Sequence, residues 1–179
     1  MAEFLWVFWS FSLLGWVLER LFAAVTRSPR RRRRCLLLLP LCPVYGLGMA
    51  AVLALPPSLR SGWRLYFWGC LTATAVEYIY HWWGETFLSV SFWDYTGAFG
   101  NLRGRVCLPF SLAWGLLLFP AVYLVTPPVL ALADRVPVGV TWWLLVAFTA
   151  DAVCSLRFLT VTHDLEGLRA AVWPVWGCP

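Results

Sequence analysis

The chain has 179 residues, of which 61% are hydrophobic and only 13% charged, with a mean hydropathy of +0.72 and a net charge of +5. Soluble domains carry about 25% charged residues, so this composition excludes a water-soluble globular protein and calls for a bilayer as solvent. All its fixed cations are arginines; without a lysine there is no Walker A motif, whose lysine reaches the nucleotide phosphates, and the clustering of the arginines between apolar runs argues against nucleic acid.

Five apolar segments follow in chain order, at about 4–25, 35–56, 64–84, 107–126 and 138–159. Each is about 20 residues, enough at 1.5 Å per residue to cross about 30 Å of hydrocarbon. The expected fold is therefore all-α, a polytopic membrane protein with 1–179 forming a single integral domain. The first segment lacks a basic leader region and a small-residue cleavage site, so it is expected to stay as a helix. The second opens with "PLCPVYGLG", where Pro40 and Pro43 remove two backbone donors and predict an unwound inner end. Between the third and fourth lies "SFWDYTGAFGNLRGRVCL" (91–108), too long, aromatic and charged for a plain connector. Its glycines would let it fold back as a re-entrant or interfacial loop. "PPVLALADRVP" reads as the loop before the fifth segment. Beyond that segment, Val161, Leu165, Leu168 and Val172 recur at helical spacing up to Pro174, predicting an amphipathic segment on the membrane face. The six cysteines form no CxxC pair, read as small packing residues, and imply no disulfide framework.

Arginine placement sets the expected orientation. Arg27, Arg30–Arg34, Arg103, Arg105, Arg157 and Arg169 fall on one side, against Arg60, Arg64 and Arg135 on the other. The positive-inside rule then puts the N-terminus outside and the C-terminus in the cytoplasm of a plasma membrane, with Arg30–Arg34 beside anionic lipid headgroups. Glu19, Glu77 and Asp151 would lie about 20–22 Å below the outer face, where an acid costs about 2.5–3.5 kcal/mol and rarely occurs without a task. Tyr45 would approach the same depth from the second helix. Asp94, Asn101 and Arg105 would cap this cavity from below, with Trp93 and Tyr95 anchoring the loop. Blander readings stand beside this one. Glu19 can snorkel, and Glu77 with His81 can form a closed pair. Glu77, His81 and Glu85 also have tolerable metal spacing, but on one helix without further ligands no metal is assigned.

"GWVLE" (15–19), "PLCPVYGLG" (40–48), "EYIYHWWGE" (77–85), "WDY" (93–95), "NLRGRVCL" (101–108), "SLAWG" (111–115) and "DAVCS" (151–155) resemble the bacterial family of putative ABC-transporter permeases of the CmpB type. A vertebrate transmembrane family is similar in part. The resemblance marks Glu19, Tyr45, Glu77, Glu85, Trp93, Asp94, Tyr95, Asn101, Arg105, Cys107 and Asp151 as substrate-binding or polar-cavity residues. His81 departs from the family pattern, as does the arginine run. The resemblance implies a membrane component of a transport system for a small or lipid-like substrate. It would have no cofactor of its own, would need a separate ATPase subunit or an ion gradient, and would assemble as a homo-oligomer or with a partner membrane subunit. A second reading is an enzyme on an inner-leaflet lipid, with Glu77 or Glu19 as base, Arg105 and Asn101 holding an anionic headgroup, and Cys107 as nucleophile. A third is a scaffold whose polar groups only hold helices together.

Overall fold

Leu39 and Cys42 each precede a proline, and that position is pushed out of the helical region towards extended backbone. The consequence organises the second segment. A computed structural model describes residues 2–26 and 35–170. In it α1 (Ala2–Thr26) is unbroken, whereas the helix expected at 35–56 is confined to α2 (Pro43–Ala54). Residues 35–42 form an irregular, largely buried strap, and Cys42 is extended at φ −110° with Pro43 opening the helix behind it. The absence of a disulfide is also corrected, because Cys35 and Cys42 are bonded across this strap with their Cα atoms 5.1 Å apart. A run of bends over residues 36–40 brings together cysteines that sequence spacing alone leaves unpaired.

After a short 3₁₀ turn at Pro57–Leu59, α3 (Trp63–Trp83) runs into a wide π-helical turn at Gly84–Leu88. Residues 89–107 are irregular, with one isolated bridge between Leu102 and Val106. α4 (Leu108–Pro120) passes through a second π turn at Ala121–Val125 directly into α5 (Thr126–Arg135), making a rod of 28 residues. The fourth segment therefore extends well beyond 107–126, and most of the expected loop "PPVLALADRVP" is helix. Pro127 and Pro128 fall in the first turn of α5, where a missing N–H is tolerated. The Thr126 hydroxyl donates to the Ala121 carbonyl at 2.8 Å, the same oxygen that accepts the Thr126 N–H across the wide turn. α6 (Val138–Thr162) ends at His163, whose left-handed backbone (φ +54°) turns the chain into α7 (Leu165–Ala170). Val161 lies exposed in α6, while Leu165 and Leu168 are buried. The arginine run and the remaining tail, including Val172 and Pro174, lie outside the described residues.

Among the described residues, three helices are long and apolar enough to cross a bilayer: α1, the Leu108–Arg135 rod and α6. α2 is a shorter apolar helix of 12 residues. α1 packs on α2, α2 on α3 and α3 on α4, and α5 returns to α1. Two apolar clusters result. Val7, Phe11, Met49, Val52, Leu65 and Leu118 fill one, joining α1 to α4. The other surrounds Phe92, Trp93, Tyr95 and Cys107 of the 89–107 loop, with Leu36 and Leu37 of the strap and Leu159, Leu165 and Leu168 from the C-terminal end. The loop is thus a core element, and its aromatic side chains are what the strap and α7 pack upon.

Candidate functional site

The loop owes its shape to backbone turns held by its own polar side chains. Asp94 Oδ1 accepts the Thr96 N–H at 2.8 Å, and Asn101 Oδ1 accepts the Gly104 N–H at 3.3 Å. Gly104 sits at φ +70°, where a side chain is strained, and its carbonyl accepts the Tyr95 N–H at 2.8 Å. These turns drive Phe92, Trp93 and Tyr95 inward while Asp94 and Asn101 stay at the surface. Trp93 then donates its indole N–H to the Arg105 carbonyl at 2.7 Å, tying the two arms of the loop together.

Arg105 points back at α3. Its Nε donates to Glu85 Oε2 at 2.7 Å and its Nη1 to the Tyr78 hydroxyl at 2.8 Å. Desolvation alone would lower the guanidinium, but hydrogen bonds and attraction from Glu85, then from Tyr78, outweigh it and raise it above its ordinary value. It is a fixed cation over the end of α3. One turn earlier, His81 lies buried with Nε2 2.8 Å from the Trp93 carbonyl, and a carbonyl only accepts, so Nε2 carries a proton. Nδ1 is left 3.4 Å from Glu85 Oε1. That nitrogen makes no hydrogen bond, and the Glu85 carboxylate beside it is the one that Arg105 holds.

A further turn along the same face, Glu77 is 1% exposed and accepts the Trp114 indole N–H at 2.8 Å. The Trp114 ring meets Tyr45 edge-on at 5.0 Å, and the Tyr45 hydroxyl donates to Glu19 Oε1. Gly15 makes this possible, because a Cβ there would collide with the Tyr45 ring. Glu19 and Tyr45 open onto a cavity of about 200 Å³ whose other walls include Phe22, Tyr95, Phe110 and Trp114. The aromatic pair Tyr45–Trp114 thus lies between two acids, one at the cavity and one deep in the helix packing.

Asp151 belongs to a different set. Its two oxygens accept the N–H groups of Leu38 and Leu39 at 3.1 and 2.9 Å, and Oδ1 also accepts the Ser155 hydroxyl at 3.0 Å. These donors are the ones that the broken start of the second segment leaves outside any helix. Cys107 is buried at the N-cap of α4 as a free thiol, its carbonyl accepting the Ser111 N–H. Sequence reasoning did not single out Trp114 or Tyr78. Tyr78 stands two turns before Glu85 on α3, a spacing that signals a shared face. Trp114 lies on another helix, and no local pattern ties it to Glu77.

The family model described as "Putative ABC-transporter type IV" matches residues 6–156, which takes in every acid, aromatic and arginine of the geometry above. No curated protein matches the chain, and no solved structure does.

Proposed function

Because the chain belongs to the putative ABC-transporter type IV family, and is thus a multi-pass helical membrane protein, we propose that it is the membrane component of a transport system that binds a small or lipid-like substrate at the Glu19 cavity. Five spans are proposed. α3 crosses despite its polar residues because those residues face the protein, and the strap with α2 supplies the crossing that a helix of about 18 Å leaves incomplete. Irregular backbone at membrane depth is stable where protein covers it, and Asp151 does that here. The arginine distribution supports an outer N-terminus and a cytoplasmic C-terminus.

The observation that carries the reading is the arrangement of Glu19 and Glu77 on either side of the Tyr45–Trp114 pair. Transporters place such sites inside the bilayer beside broken helices. Five spans are few for alternating access by one subunit, so a second copy or another membrane subunit is part of the proposal. Lacking lysine, the chain draws on a separate nucleotide-binding subunit. The lipid-enzyme reading finds less support, since Arg105 is already engaged by Glu85 and Tyr78 and Cys107 is enclosed. Purification of the tagged full-length chain from its native membranes tests the proposal. A nucleotide-binding subunit should copurify in constant ratio, with ATP hydrolysis that falls at least tenfold on Glu77→Gln. Repeated preparations with no such subunit would overturn it.

A further inference from the structure

Five of the nine residues that line the Glu19 cavity are aromatic, three are aliphatic and one is a carboxylate. From this composition we infer that the cavity is a site for an organic cation, an alkylammonium head whose apolar tail remains in the bilayer. The inference rests on the proposed transport role and names the class of substrate it would serve.

Three features carry it. First, ring faces and edges carry opposite partial charge, and a substituted ammonium gains from several faces at once, as in aromatic cages. Here Phe22 packs edge-on against Phe110 at 5.7 Å, Tyr95 stacks on Phe110 at 5.0 Å, and Tyr45 meets Trp114 at 5.0 Å. The rings are braced in pairs, so the cage is set before a ligand arrives. Second, Glu19 is the acidic residue of the cavity wall and supplies a counter-charge, its carboxylate accepting the Tyr45 hydroxyl. An anion entering the same space would meet Glu19 at close range. Third, size and position restrict the ligand. A cavity of about 200 Å³ is below the roughly 300–1,000 Å³ of sites that enclose drug-sized molecules, so it holds a head and not a whole amphiphile. Leu18 and Leu117, 38% and 43% exposed, form its rim on the outer faces of α1 and α4, where lipid chains would lie. The opening therefore faces the hydrocarbon side.

Calorimetric titration of the full-length protein in phosphatidylglycerol nanodiscs, with empty nanodiscs as blank, tests this. The probes are benzyltrimethylammonium and neopentylbenzene, which share a shape but differ in charge. Saturable binding of the cation is expected, with the neutral probe at least tenfold weaker. Glu19→Gln should weaken the cation at least tenfold and Phe22→Leu by about three- to tenfold, each leaving the neutral probe unchanged. Tyr45→Phe, which keeps the ring and releases the carboxylate, should bind within about threefold of wild type. A chain with Arg30–Arg34 replaced by glutamine is titrated in parallel, which lowers the protein's own positive charge. In discs containing phosphatidylcholine, a fall in apparent affinity would identify lipid ammonium heads as occupants, and an unchanged affinity a free cation; either supports the site. Equal binding of both probes, undiminished binding in folded Glu19→Gln, or no saturable heat in both parent chains would overturn it. Copurification of the nucleotide-binding subunit is independent of all these outcomes, so the two readings fail separately.

Discussion

Glu77 is enclosed by the protein, and its hydrogen bond from Trp114 comes from a ring that also forms the cavity wall. Trp114→Phe keeps most of the ring and removes the N–H. Leaving a buried acceptor without that donor costs about 1–3 kcal/mol, so unfolding in mixed detergent–SDS micelles should shift by that amount. Glu77→Gln in the same background should recover part of the loss, since a neutral amide is less costly to bury. The importance of Glu77 is readable from composition, because a chain with nine acids places one in the middle of an apolar helix. Its partner is not readable. Residues 77 and 114 lie on different helices, and their meeting depends on the α3–α4 packing that only the folded molecule specifies. The inward turn of Trp93 is intermediate, since its glycine-rich surroundings announce a folded loop but not which ring is enclosed.

At the scale of elements, α1 and α2 meet backbone to backbone at Gly46. A Cβ on Gly46 would strike the Phe8 carbonyl oxygen, a backbone atom that cannot rotate away, whereas one on Gly48 would meet nothing within 4 Å. Gly46→Ala should therefore lower stability by about 1–3 kcal/mol, as overpacked cores do, while Gly48→Ala should be neutral or slightly stabilising. The pair differs only in what faces the added methyl, so thermal unfolding of both variants isolates the crossing. Element legibility follows the same division between local and distant causes. The break before Pro43 is visible because proline acts on its own neighbours. The continuation of α4 through Pro127 and Pro128 is hidden because it depends on a π turn that no propensity encodes. The helix break itself offers a further check. Asp151→Asn leaves one oxygen to accept two backbone donors, and should loosen the strap enough to raise amide exchange at Leu38 and Leu39 at least tenfold.

For the whole molecule, the Cys35–Cys42 bond and the proposed orientation make a joint prediction. The arginine-rich side is proposed to be cytoplasmic, where thiols are kept reduced, yet both cysteines are buried. Burial is what would let the bond persist there. Tryptic digestion without reductant should yield the peptide from Cys35 to Arg60 lighter by two hydrogens than its reduced form. A membrane-permeant maleimide applied to intact membranes should label neither cysteine. After unfolding in reductant both should react. Closing so short a loop restricts the unfolded chain by about 2–3 kcal/mol, so the Cys35→Ser, Cys42→Ser double variant should unfold earlier by that amount. Membrane character is legible at this scale from hydropathy alone; the clamp across the strap is not, since it needs the turn that brings the two cysteines together.

The contact between Asp151 and the strap spans more than a hundred residues of sequence. In the proposed five-span topology the strap enters the bilayer during synthesis long before its acceptor exists. At about 5–20 residues per second, the amides of Leu38 and Leu39 wait roughly 5–20 s for the carboxylate. Through that interval the nascent chain must shelter them with water at the insertion machinery or with another protein, because lipid offers no acceptor. A ribosome-stalled chain ending before residue 150 should accordingly crosslink from position 38 to the insertase, and lose that crosslink once α6 has emerged. The last long helix to be made is the one that releases the protein from its birthplace.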